Sequence, residues 1–199
     1  ERRIVAVSAR YSGLTHSVIG NESQALNQLI EHLYGLGHRR FGWLGGNQGM
    51  SRHEARFTAF KGALNAAGLN DDVRYHIALP QADRDEGAEA VHRLIKHSKR
   101  RDFPTAFVAY NSLMAQGAAR AFLRADWQVP EDVSIAGADT HRPEGSDTPT
   151  VTGAGSDPAS LGAAAARLIL ESTGETDEAF IDLMLPSKLV IGESTGPVS

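Results

Sequence analysis

Short apolar, strand-like runs alternate with amphipathic helical segments along nearly all of the 199 residues, and that alternation leaves few folds open. The apolar runs are IVAVSA (4–9), HSVIGN (16–21), RFGWLGG (40–46), VRYHIAL (73–79), TAFVAY (105–110), VSIAG (133–137), FIDLMLP (180–186) and KLVIGES (188–194). After the second run Asn21 is placed to cap a helix. Ala25, Leu26, Leu29, Ile30, Leu33 and Leu36 then recur at helical spacing, and Gly37 supplies the stop. Further helices are expected over 53–67, closed by Gly68, and over 84–97, 112–125 and 158–171, with GAGSDP (153–158) read as the loop into the last of them. Strands that alternate with helices predict an α/β protein with a parallel sheet flanked by helices.

Composition excludes several classes of function. There is no cysteine, hence no disulfide, thiolate nucleophile or Cys-based metal centre. The net charge is -4 with acids and bases interspersed. The basic stretches GHRRF (37–41) and KHSKRRDF (96–103) are short and read as solvated turns and helix ends, so direct contact with DNA is not expected of this chain. No apolar run approaches the ~18 residues of a membrane span. The sequence lacks a G-x-S-x-G elbow, an H-E-x-x-H pair and a phosphate-binding G-x-x-x-x-G-K-[ST] loop, and no nucleophile–base pair is legible, so catalysis is not expected. The eight histidines are scattered: His92 and His97 lie five apart, and His32 and His38 straddle a helix end. Neither a metal site nor a cofactor is expected.

Two polar breaks carry the functional reading. Asn111 and Asp139 each follow an apolar run, and in open parallel sheets ligands bind outside the carboxyl ends of the strands. Either residue alone could instead cap the next turn; their placement at successive strand ends is what points to a ligand. The glycines of LGGN (44–47) bring a third loop toward the same rim. Arg56, on the helix entered from that loop, is either a solvent-facing helix residue or a third ligand group. Arg, Asn and Asp together supply the donors and acceptors that a polyol needs.

HLYGLGHRRFGWLGG, ARFTAFKGALNAAGL, the run through 104–140 and the closing DPASLGAAAARLIL and LPSKLVIGEST resemble, in that order, the effector-binding core of the LacI/GalR family of bacterial transcription regulators. The likeness extends over about residues 4–195. It implies a type I periplasmic-binding-protein-like fold: two α/β subdomains flank a cleft, and the chain crosses between them three times. Residues 1–19 and 155–185 would be a remnant of the N-terminal subdomain, and 20–154 with 186–199 a nearly complete C-terminal one. The family's helix-turn-helix is absent from this chain, which opens without an initiator Met and is read as a piece of a longer protein that binds effector weakly on its own.

The resemblance also implies a role: a cytoplasmic, homodimeric effector-sensing domain of a DNA-binding regulator or repressor, with a carbohydrate or related metabolite as effector and operator DNA reached only through a separate N-terminal domain. A solute-binding protein of a sugar transporter is the alternative. Matched position by position, Arg56, Asn111 and Asp139 fall on the family's effector-holding residues, Ser156 on the loop before the last long helix, and Ser8 on an Asp after the first strand. The departures are Tyr110-Asn111-Ser112 for the family's Ala-Asn-Asp, Ala59 for a Gly, and Ala82 where an aromatic platform is common.

Overall fold

The computed structural model describes residues 3–141, 148–172 and 179–198. The elements in chain order are β1 (Val5–Val7), β2 (His16–Gly20), α1 (Glu22–Gly35), β3 (Phe41–Gly45), α2 (Ser51–Ala66), β4 (His76–Ala78), α3 (Arg84–His97), β5 (Ala106–Ala109), α4 (Ser112–Arg124), β6 (Ser134–Gly137), β7 (Thr152–Gly155), α5 (Pro158–Glu171), β8 (Asp182–Leu185) and β9 (Lys188–Val190). They build two sheets. The larger has the order β4-β3-β5-β6-β7-β9, and every pair is parallel except β7–β9. The smaller is a parallel sheet in the order β1-β2-β8. Parallel sheets flanked by helices are the fold class that the alternation predicts.

The winding of the larger sheet follows from the handedness of its crossovers. From β3 the chain steps to β4, then returns past β3 to β5 and on to β6. Right-handed connections put α2 on one face and α3 and α4 on the other, which matches the packing of α1 on α2 and of α3 on α4. The direction of winding reverses between β3 and β5, so the carboxyl ends of these two strands form the topological switch point.

Both faces of the larger sheet are covered, so its strands read as unbroken apolar runs and Phe41, Trp43, Leu44, Phe107, Val108 and Ile135 are fully buried. Phe103, Phe107, Phe122 and Trp127 interlock with centroids 5.0–6.0 Å apart. Gly42 makes room for one of them: a Cβ there would lie 2.1 Å from the Phe107 ring. The smaller sheet buries His16, Ser17 and Val18, and Val18 packs against Leu161 and Ala165 of α5.

Asn21 caps α1 where the sequence places it, and three further helices are capped in the same way. Asn21, Asp83, Asn111 and Asp157 each accept a hydrogen bond from a backbone N–H of the first turn, and Gly37 and Gly68 follow their helix ends at φ +98° and +69°. The strands are shorter than the apolar runs suggest. VRYHIAL splits into a 3-10 turn, Val73–Tyr75, and the three residues of β4. β7 corrects the reading of GAGSDP: Thr152–Gly155 is an interior strand, paired with β6 and β9. Its two glycines hide a strand from propensity rules, yet they are required. A Cβ on Gly153 would lie 2.0 Å from the Asp139 carbonyl oxygen.

His38 pins the carboxyl-terminal tail beneath this sheet. Its Nδ1 meets Thr105 Oγ1 at 2.9 Å, and its Nε2 meets Ser134 Oγ and the Gly196 carbonyl at 3.0 Å. Burial pushes the pKa of His38 below the ordinary value of 6.5, and does the same to His32; at His76 burial outweighs the opposing pull of Asp71. Groups whose folded pKa is depressed bind more protons when unfolded. Stability is therefore full above about pH 6.5 and falls as the pH drops toward the folded values. The melting temperature is expected to be lower at pH 5 than at pH 7.5, where the carboxylates lowered by their partners, Asp72 and Glu89 among them, are still ionised in either state. His38→Gln should narrow that difference; an unchanged gap would remove His38 from the account.

Candidate functional site

A cleft of about 370 Å³ opens where the two sheets meet. Its walls come from three carboxyl-terminal strand ends. Ser8–Arg10 follow β1, Asn21–Ser23 follow β2 at the start of α1, and Ser51, Arg52 and Ala55 are the first turns of α2, the helix that follows β3. Ile19 and Met184 supply apolar wall. β1 and β2 run parallel in the smaller sheet and β3 belongs to the larger one, so the carboxyl ends of both sheets contribute loops to the cleft.

The floor of this region is held by Arg56, which is 3% exposed. Its Nε donates to Glu22 Oε2 at 2.8 Å, its Nη2 to Glu22 Oε1 at 3.4 Å and its Nη1 to the Tyr110 carbonyl at 2.5 Å, with the guanidinium carbon 4.7 Å from the Tyr110 ring centroid. Arg56 therefore ties α1 and α2 to the end of β5, across the switch point. Glu22 also receives Arg52 Nε at 3.0 Å, so one carboxylate sits between two guanidiniums. Behind them His53 stacks between Phe57 and Tyr110, its Nδ1 2.8 Å from the Gly46 carbonyl.

Asn111 and Asp139 lie side by side at the ends of β5 and β6. Asn111 Oδ1 caps Met114 N at 2.8 Å and its Nδ2 donates to the Ala82 carbonyl at 2.8 Å. Asp139 Oδ1 accepts from Ser112 Oγ at 2.5 Å and from the amides of Ser112 and His141 at 3.2 Å. Gly46 packs against Gln81 and Ala82, and Asn47 N donates to the Gln81 carbonyl. The loops after β3, β4, β5 and β6 thus converge on one rim, with these polar groups satisfied inside the protein.

Of the five residues singled out by the sequence, Ser8 lines the cleft, at φ 60° with its amide on the Val18 carbonyl. Arg56 backs the cleft through Glu22, while Asn111 and Asp139 occupy the adjoining rim. Ser156 is elsewhere: its hydroxyl donates to the Leu185 carbonyl at 3.0 Å and lies 3.3 Å from Ser187 Oγ, which donates to the Asn21 carbonyl at 2.9 Å. That is the crossing point of the three connections between the sheets, at Gly20-Asn21, Ser156-Asp157 and Pro186-Ser187. Sequence reasoning missed Glu22 and Arg52. The signal was present, since Glu22 opens a helix directly after a strand end and Arg52 precedes Arg56 by one helical turn.

Among the described residues no group of three or more His, Cys, Asp or Glu could hold a metal ion, and no helix is long and apolar enough to cross a membrane.

Residues 30–195 match the model of the periplasmic binding protein-like domain family. The chain is 31% identical over 177 residues to the HTH-type transcriptional regulator CelR of Thermobifida fusca, covering 88% of this chain and 49% of that protein. It is 28% identical over 170 residues to the HTH-type transcriptional repressor PurR of Pasteurella multocida, covering 85% and 48%. It spans about half the length of these curated relatives. A crystal structure of a LacI family transcriptional regulator from Mycobacterium smegmatis superimposes with a TM-score of 0.85 at 27% identity, over 98% of this chain and 71% of that one. The chain belongs to the periplasmic binding protein-like domain family and, within it, to the LacI/GalR group.

Proposed function

We propose that this chain is the effector-sensing core of a LacI-type transcription regulator. It binds a small molecule, a sugar or related metabolite, in the cleft between the two sheets and thereby controls operator binding by a DNA-binding domain outside this sequence. Ser8, Arg56, Asn111, Asp139 and Ser156 are the residues assigned to that site and its hinge, in a cytoplasmic homodimer without catalytic activity. Residues 1–19 and 155–185 are assigned to one subdomain, and 20–154 with 186–199 to the other.

One observation carries the reading. A cleft that carries Arg10, Glu22, Arg52 and three serines on a largely apolar lining lies between two sheets joined by three adjacent crossings, so a ligand that bridges the walls biases how the sheets are posed. The relatives' names, all regulators among those described, favour this role over transport. The test is a band-shift with the full-length gene product and the DNA upstream of its own gene. Retardation that a metabolite pool alters, and that Ser51→Trp in the cleft makes insensitive to the pool, is the expected result. A full-length product with a secretion signal and no affinity for DNA would instead be a transport receptor.

A further inference from the structure

The charges around the cleft narrow the class of ligand, and this step rests on the effector-cleft reading above. Arg56 has little left to offer a ligand: three of its five N–H donors are spent on Glu22 and Tyr110, and it is buried. The charged groups that reach the cleft itself are Arg10, Arg52 and Glu22. Arg52 engages Glu22 through Nε only, which leaves its two terminal nitrogens free of that contact, and its side chain is 37% exposed. Arg10 pairs with Asp182 at 3.4 Å. Arg10, Arg52 and Arg56 against Glu22 and Asp182 leave one positive charge in excess. The first turns of α1 and α2 also open on the cleft, and α2 has no side-chain cap, so its leading amides add partial positive charge.

We propose that the cleft takes a small polyol bearing an anionic group, held by Arg52 with Arg10 beside it, and that Glu22 is a built-in competitor for the same guanidinium. In the unliganded protein the Glu22 carboxylate occupies the place that the ligand's anion takes. Exchange costs little because Glu22 keeps Arg56 when Arg52 turns to the ligand. The serines at the mouth, Ser8, Ser23 and Ser51, supply hydroxyl partners for the neutral part of the molecule. Asn21 contributes less, its side chain being spent on the amide of Gln24.

The test is calorimetric titration of the full-length gene product with matched pairs, ribose 5-phosphate against ribose and glucuronate against glucose, and with inorganic phosphate as the bare anion. An anionic partner binding about tenfold or more tightly than its neutral twin, with an affinity that falls as salt rises, is expected. Arg52→Gln should erase that preference, and Glu22→Gln should strengthen it several-fold. A neutral sugar binding as tightly as its anionic twin overturns the anionic class and leaves the effector cleft standing. Anion binding unchanged in Arg52→Gln overturns the assigned contact. If no probe of either class binds a folded protein, both the anionic class and the effector cleft fall.

Discussion

Replacing Arg56 by Met is expected to destabilise the protein by about 3 kcal/mol or more, the range for breaking a buried ion pair by removing one partner. The reason lies in what Arg56 leaves behind. The Tyr110 carbonyl loses its 2.5 Å donor at a buried strand end, and Glu22 loses two of the three N–H groups that hold it. Arg56→Lys should rescue only part, because an ammonium is a point charge and cannot reach Glu22 and Tyr110 as a fork. Arg52→Gln provides the contrast. Arg52 meets the same carboxylate from a partly exposed position, where a single pair contributes about 0–1 kcal/mol. Urea unfolding of the three variants should rank Arg56→Met well below Arg56→Lys, with Arg52→Gln near the parent. Equal midpoints for Arg56→Met and Arg52→Gln would show that the guanidinium of Arg56 does not hold the switch point together. The same ranking matters for any functional assay. A lost response in an Arg56 variant reports on the ligand only where the variant is shown to be folded.

Much of the fold is legible in the sequence because the larger sheet is covered on both faces. Full burial turns β3, β5 and β6 into apolar runs, and the helix that leads into β3 shows its cap in the sequence at Asn21. β7 is hidden for the opposite reason. Thr-Gly-Ala-Gly carries no strand signal, and its glycines are set by the backbone of the Asp139 loop lying across them, a tertiary demand that no local pattern records. The candidate site divides in the same way. Strand-end position brings out Asn111 and Asp139 on the rim, and the family resemblance brings out Ser8 in the cleft. What position along the chain does not reveal is which partners a side chain has already taken. Arg56 reads as an available cation until its partners 34 and 54 residues away are known, and Glu22 reads as an ordinary first-turn acid until two arginines are seen to flank it.

A Cβ added at Gly117 is expected to cost more than any helix preference can return. Gly117 lies in α4 where it crosses α3, and a Cβ there would stand 1.9 Å from the Arg84 carbonyl oxygen; at Gly87, on the facing helix, it would stand 2.2 Å from the Met114 carbonyl oxygen. In both cases the obstacle is backbone, so no side chain can rotate aside and the helices themselves must part. Parting them loosens Ala90, Val91, Met114 and Ala118, which are buried in the same seam. Overpacking of this kind costs about 1–3 kcal/mol and more when backbone must shift, against the roughly 1 kcal/mol by which Ala exceeds Gly in helix propensity. Gly62 is the matched control, since it is exposed in α2 with nothing within 4 Å of its would-be Cβ. Gly117→Ala should therefore lower the urea midpoint and Gly62→Ala raise it, one substitution with two signs. A rise at both positions would mean that α3 and α4 do not approach as closely as their glycines imply. The end of α4 that presents Asn111 and Ser112 to the rim would then be less firmly set than the site requires.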